Sequence, residues 1–327
     1  MSSAVKSKPQ VSWSLPFDGP TRSVFVAIIL LIVVGGSFFP QFFSPYYLAQ
    51  QMQNGAFLGI VAAGAMVVIL LGQIDLSVPW TMTAAATIST AVVGANPQTG
   101  ISELGLLAGL GVGALVGFVN GFGVAVMRIP SMIWTLATNN ILLGLLVYFS
   151  GFYALASQPS PVMSALGQGK VMGLPAVVLV WIAVSALTIF LLKRTVFGRN
   201  IYLVGTSEPA AYLSAINTKR VTILAFVFAG VMSALGGMML AGYAGQSYQR
   251  MGDPYLLPGI AAVVLGGTSL FGGSGRYAGT VAGVLLITLM SSMLSIMQAP
   301  EAAKQIAYGL VIIVMVGLYS RRTAKAE

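Results

Sequence analysis

Apolar residues run along this chain in long blocks rather than in the striped spacing of a helix that is half in water. From Ser23 to Ile74 there are 52 consecutive residues without Lys, Arg, Asp, Glu or His, and from Leu76 to Ser102 another 27. A helix apolar on every face belongs in lipid or among other helices, and a bilayer-spanning helix needs about 20 mainly apolar residues. Charges, turn residues and span length divide the sequence into ten such segments, at about 22–43, 54–73, 76–94, 104–127, 130–150, 174–192, 221–243, 254–272, 277–298 and 304–320. The pattern predicts an all-α fold, a polytopic membrane helix bundle of about ten segments. A tail over 1–21 and another over 321–327 flank a transmembrane domain over 22–320. The eighth segment is the weakest, because Pro254, Pro258, Gly266 and Gly267 interrupt it. If it turned back, the basic ending would fall on the side that disfavours Lys and Arg.

Small residues punctuate the blocks at helical spacing. Gly105, Gly109, Gly113, Gly117 and Gly121 recur every fourth position in the fourth segment, and Ala225, Ala229, Ser233, Gly237, Ala241 and Gly245 in the seventh. Gly275, Gly279 and Gly283 repeat the device around the start of the ninth. Such ridges let helix backbones approach closely where lipid supplies no hydrophobic drive between helices. They predict packing and say little about cargo.

Composition narrows the chemistry. Charged residues make up 7% of 327 positions, against roughly 25% in soluble domains. Membrane β-barrels are excluded, because their strands alternate in character over about 10 residues. The first apolar stretch is too long for a signal-peptide core and shows no convincing cleavage site, so it reads as a retained span. The chain has neither Cys nor His and only seven acids, which argues against thiolate, haem and imidazole chemistry and against an intramembrane enzyme. The +9 net charge reflects orientation rather than nucleic-acid binding. With a cytoplasmic N-terminus, 13 of the 16 Lys and Arg residues lie inside and Lys170, Arg250 and Lys304 outside, as the positive-inside rule requires. Both termini are then cytoplasmic.

One acid stands between the two uncharged runs, Asp75 in "GQIDLSVP". In the middle of a lipid-facing helix it would cost about 2.5–3.5 kcal/mol. At a helix start it would accept hydrogen bonds from free amides and face the positive end of the dipole. Gly72 suits a helix end, and Pro79 is tolerated in a first turn, so the stretch predicts a helix–break–helix with a helix beginning near Leu76. Whether Asp75 only caps that helix or also meets cargo or a gate stays open. A second polar cluster on the fifth segment holds Trp134, Thr135, Thr138, Asn139 and Asn140. Its hydroxyls and amides suit an uncharged polyhydroxylated solute, and equally suit hydrogen bonds between helices.

Between the sixth and seventh segments lies a basic-flanked connection, 193–220. Ser207 is placed to cap a short helix, Glu208 and Pro209 fit its first turn, and "AAYLSAI" carries it toward Asn217. Leu213 and Ile216 are expected on one face. A helix this short is marginal alone. It needs a surface to dock on, either the membrane or a groove on a soluble partner.

These stretches resemble the permease subunits of bacterial ABC importers for ribose and similar monosaccharides. "GQIDLSVPW", "NGFGVAVMRIPSMIWTLAT", "RTVFGRNIYLVGTSEPAAYLSAINTKRV" and "GIAAVVLGGTSLFGGSGRYAGTVAG" occur in the family's order, and the likeness runs from about residue 22 to 320. Gln73, Pro79 and Ala137 stand where the family usually has Gly. The resemblance implies a bacterial inner-membrane protein in a two-permease core, homodimer or heterodimer. A separate cytoplasmic ATPase would bind ATP and magnesium, and a periplasmic sugar-binding protein would supply cargo. It makes Asp75, Ser77, Asn120, Trp134, Thr135, Thr138 and Asn139 candidates for the translocation path. Ser207, Glu208, Pro209, Tyr212, Leu213, Ile216 and Asn217 become candidates for the helix that couples to the ATPase. The chain itself holds no phosphate loop, because "GGTSLFGGSGR" lacks the Lys and adjacent hydroxyl. The rival reading is an ion-coupled secondary transporter with Asp75 at the broken helix.

Overall fold

A computed structural model describes residues 19–95, 102–149 and 157–323. The outermost tails, 1–18 and 324–327, lie outside the described residues. Within them the fold is an all-α membrane bundle. In chain order it comprises α1 (Gly19–Phe38), α2 (Pro45–Ile69), α3 (Val78–Ala95), α4 (Ser102–Ala125), α5 (Ser131–Tyr148), α6 (Pro161–Gln168) and α7 (Ala176–Arg194). Next come α8 (Val196–Thr206), α9 (Glu208–Leu213), α10 (Thr218–Ala244), α11 (Leu256–Leu265), α12 (Tyr277–Ile296) and α13 (Glu301–Thr323). The only strands among the described residues, β1 (Lys170–Val171) and β2 (Leu174–Pro175), pair antiparallel. Their turn residues Met172 and Gly173 both have positive φ, 51° and 83°, as a tight hairpin turn demands.

Six helices, α2, α4, α5, α7, α10 and α12, are long and apolar enough to cross a membrane. Two shorter apolar helices cover Ser23–Phe38 and Asp253–Leu265. Over 254–272, the weakest of the expected spans, the helix is shorter than the apolar segment. That helix, α11, has 10 residues and rises about 15 Å, half of a hydrocarbon core of about 30 Å. The segment before it reaches inward until Gly252 seats against the Pro79 carbonyl, where a Cβ would overlap. Gly266 and Gly267 (φ 91°) then end the helix. The seams that proline and glycine cut in the sequence thus shorten this element.

Helices α2 and α10 form the centre. From Gly55 to Ile69, α2 is buried at nearly every position, and α10 packs along α2, α3, α4 and α6. The ridge predicted on α4 carries its packing on α10, while the small residues predicted on α10 face α2 and α3, as Ala229 against Gly64 and Gly237 against Met82 show. Gly113 and Gly117 of α4 lie directly on the backbone of α10, and a Cβ on Gly117 would overlap the Phe226 carbonyl oxygen. Gly230 meets the Gly113 carbonyl in return. Helix α5 rests mainly on α3 and α4 and turns Met132, Ile133, Leu136 and Ile141 outward. Helix α1 lies on α12. Ser160, Thr195 and Asn217 each accept a backbone N–H at the start of α6, α8 and α10, and Gly245 (φ 76°) ends α10.

Candidate functional site

The connection between α2 and α3, residues 70–77, is where the lone acid sits. Helix α3 begins at Val78 rather than near Leu76, because Ser77 and Asp75 form a turn ahead of it. The Ser77 N–H and hydroxyl both donate to Asp75 Oδ1, at 2.8 and 2.6 Å, while the Ser77 carbonyl accepts the first helical bond from Thr81. Asn120 of α4 donates through Nδ2 to Ser77 Oγ at 2.8 Å, and stands 3.5 Å from Asp75 Oδ1. From α5, Ser131 Oγ accepts the Ile74 N–H at 3.2 Å and Thr135 Oγ1 accepts the Leu76 N–H at 2.9 Å. Backbone donors freed by the non-helical stretch are thus taken by Asp75 and by side chains of α5, as irregular backbone inside a membrane requires.

The sequence-predicted candidates divide into three groups. Asp75, Ser77, Asn120 and Thr135 are brought together in this buried network. Trp134 and Thr138 serve the helices themselves. The Trp134 indole N–H donates to the Val119 carbonyl at 3.0 Å over the bare backbone of Gly123, and Thr138 donates to the Trp134 carbonyl. Asn139 stands apart, lining a cavity of about 350 Å³ with Trp80, Arg250, Asp253, Gln305 and Tyr308. Its buried Oδ1 has no protein partner. Sequence reasoning missed Ser131, although its spacing of four from Thr135 on one helical face marks it.

At the basic end of the bundle, Ser207 Oγ accepts the Ala210 N–H and caps α9, with Pro209 in the first turn. The helix ends at Leu213, short of the predicted stop near Asn217, because Ala215 takes φ 60°. That turn separates the expected apolar pair. Ile216 folds back onto the core, whereas Tyr212 and Leu213 are 70% and 85% exposed. Together with Arg128, Ile216, Asn217 and Lys219 they line a groove of about 590 Å³. Glu208 Oε1 accepts from Arg128 Nη1 at 2.6 Å and from Thr218 at 3.3 Å, joining this short helix to the α4–α5 turn, a contact no local pattern announces. Asn217 caps α10.

The glycine-rich stretch 266–276 finds its use here. Gly273 N–H donates to the Leu70 carbonyl at 2.9 Å. Gly205 of α8 sits so close to that carbonyl that a Cβ would overlap it, and Gly272 and Gly273 take φ 88° and 72°. Three chain segments thus touch backbone to backbone at the end of α2.

A third cavity, of about 490 Å³, lies at the other end of the bundle between α2, α11, α12 and α13, with Tyr47, Gln51, Ser291 and Ser292 among its walls. Neither Asp75 nor Ser77 lines any of the three cavities.

A family model described as branched-chain amino acid transport system, permease component, matches residues 47–316. The ribose import permease protein of Haemophilus influenzae is 33% identical over 89% of this chain and 90% of its own length. The ribose import permease protein of Bacillus subtilis is 32% identical over 94% of this chain and 96% of its own. The L-arabinose transport system permease protein of Escherichia coli K12 is 33% identical over 100% and 98%. No solved structure matches. The chain is a multi-pass membrane protein and belongs to this family of transport-system permease components.

Proposed function

We propose that this chain is the membrane-spanning permease of an ATP-driven importer for a neutral monosaccharide or related polyol. Its relatives are named for ribose, arabinose and fructose. A partner ATPase binds ATP and magnesium, and a periplasmic binding protein delivers the solute. The ten segments enter or cross the inner membrane with both termini cytoplasmic, and a second permease, identical or paralogous, completes the pathway.

The observation that carries the reading is the pair Tyr212–Leu213 on a capped helix whose other side is tied into the bundle. Exposed apolar side chains on six residues of helix fit a groove on a soluble partner. A push on α9 reaches the break between α2 and α3 by two routes. One runs through Glu208 and Arg128 to the α4–α5 turn and on through Ser131 and Thr135 to the amides of Ile74 and Leu76. The other runs through Gly205 against Leu70. Asp75 in this scheme clamps the break and does not touch cargo, since its donors are Ser77 and, more distantly, Asn120, and it lines none of the three cavities described.

Proteoliposomes test the proposal. The permease with its ATPase and binding protein accumulates labelled sugar only with ATP, and the permease alone accumulates none under a sodium or proton gradient. Gradient-driven uptake by the isolated chain would favour the ion-coupled alternative. Leucine in place of sugar tests the amino-acid reading suggested by the family's description.

A further inference from the structure

The cavity at the end of the bundle opposite Glu208 has a chemistry of its own. Its depth along the bundle follows from its walls: Tyr47, Gln51 and Asn54 come from the first half of α2, whose last turn meets Gly205. Ser291, Ser292 and Ser295 come from the second half of α12. Its volume of about 490 Å³ falls within the usual range for small-molecule sites, about 300–1,000 Å³. No Asp, Glu, Lys or Arg lines it.

The hydrogen-bonding capacity is arranged by type. Thr288 and Ser295 donate their hydroxyl protons to carbonyls four residues back on α12, Val284 and Ser291. Their remaining lone pairs can only accept. Donors come from the amides of Gln51 and Asn54, beside hydroxyls such as those of Tyr47 and Ser292, which bond each other. Gln51 is only 8% exposed, and its side chain makes no hydrogen bond to the protein among the described residues, although a buried amide ordinarily finds one. Apolar wall is supplied by Leu58, Pro258 and Ile287. A ligand that both donates and accepts at several points, and has an apolar edge, satisfies such a lining. An anion would meet unshared lone pairs, a cation would find no carboxylate, and an amino-acid zwitterion would need both.

We infer that this cavity binds one uncharged polyhydroxylated solute of monosaccharide size, held through Gln51 and the hydroxyl face of α12. The inference rests on the importer reading for its choice of probes, and it adds a solute site that the Asp75 network does not supply. It also fixes where selectivity lies, on α2 and α12.

The chain has no Cys, so Ser291→Cys places a single thiol in the cavity and Ser37→Cys, on the exposed end of α1, serves as control. The purified permease–ATPase complex is labelled with a small water-soluble methanethiosulfonate in the presence of D-ribose, L-arabinose, D-fructose or leucine. At ten times its dissociation constant a bound sugar leaves about one-tenth of the sites free, so labelling of Ser291→Cys slows about tenfold. Ser37→Cys is unaffected, leucine does not protect, and adding Gln51→Leu removes the protection. Labelling that no sugar slows, protection by leucine equal to that by sugar, or protection that survives Gln51→Leu would overturn the site. If the same complex takes up sugar with ATP yet shows no protection, the site falls while the importer reading stands. Protection without ATP-driven uptake leaves the site standing and removes the importer.

Discussion

Replacing Asp75 separates a clamp from a cargo contact. In the wild type its Oδ1 takes the Ser77 N–H at 2.8 Å and the Ser77 hydroxyl at 2.6 Å, with Asn120 Nδ2 more distant at 3.5 Å, in a turn that side chains of α4 and α5 also hold. Hydrogen bonds to a charged group contribute about 1.5–3 kcal/mol each and neutral ones about 0.5–1.5. Asp75→Asn keeps an acceptor in the same place, so it loses about 1 kcal/mol per bond. Relief of the desolvation that a buried carboxylate suffers offsets part of this loss, and the net destabilisation is about 1 kcal/mol. Asp75→Ala leaves the buried Ser77 N–H without a partner, at about 1–3 kcal/mol for that group alone, and so costs more than Asp75→Asn. The assay has two readouts: unfolding of the purified complex, and ATP-dependent uptake normalised to assembled complex. The expected result is graded loss of stability, Asn before Ala, with uptake per Asp75→Asn complex within about twofold of wild type, the change that 0.4 kcal/mol would produce. Full stability of Asp75→Ala would refute the clamp. A stable Asp75→Asn complex that transports nothing would put the carboxylate on the path of the solute or its gate.

Other outcomes follow from the packing and the short helix. Glu208→Ala with Leu213→Ala leaves membrane insertion intact but lowers ATP-driven uptake and ATPase recruitment, measured by co-purification and flux; normal values for both would remove α9 from the coupling role. Arg128→Ala alone costs at most about 1 kcal/mol of stability, because the pair is 59% and 44% exposed, yet it reduces uptake per complex by breaking the tie to α4 and α5. Gly117→Leu fails to yield folded protein, since even a Cβ overlaps Phe226, whereas Gly111→Ala, with nothing within 4 Å, is tolerated; yields in detergent, scored by size-exclusion chromatography, distinguish the two.

The helices that hydropathy governs were legible from the chain alone. Charge-free runs gave α2, α4, α7, α10 and α12, and the glycine ridge of α4 marked the face that meets α10, whereas the ridge read on α10 turns to other helices, with Ala229 against Gly64 of α2 and Gly237 against Met82 of α3. Legibility failed where a local signal was overruled by distant backbone. The segment 254–272 is apolar enough for a span, but its Gly252 reaches Pro79 and its Gly266 meets Gly279, so the helix is cut to ten residues. Ile216 was expected beside Leu213; one left-handed residue, Ala215, turns it inward. The Asp75 cluster was half legible, because Ser77 is two residues away while Asn120 and Thr135 reach it across 45 and 60 positions. The cavity walls at Gln51 and Ser291 were not legible, because serines spaced along an apolar helix read as helix-packing residues until the structure shows the empty volume in front of them.

The meeting of Gly205, Leu70 and Gly273 has a mechanical consequence. Side chains can swing between rotamers and absorb a displacement, but main chain seated on main chain has no such slack. Any stroke delivered to α8 must therefore arrive at the foot of α2 almost undiminished, and the whole length of that central helix becomes the rod that carries it toward the far mouth.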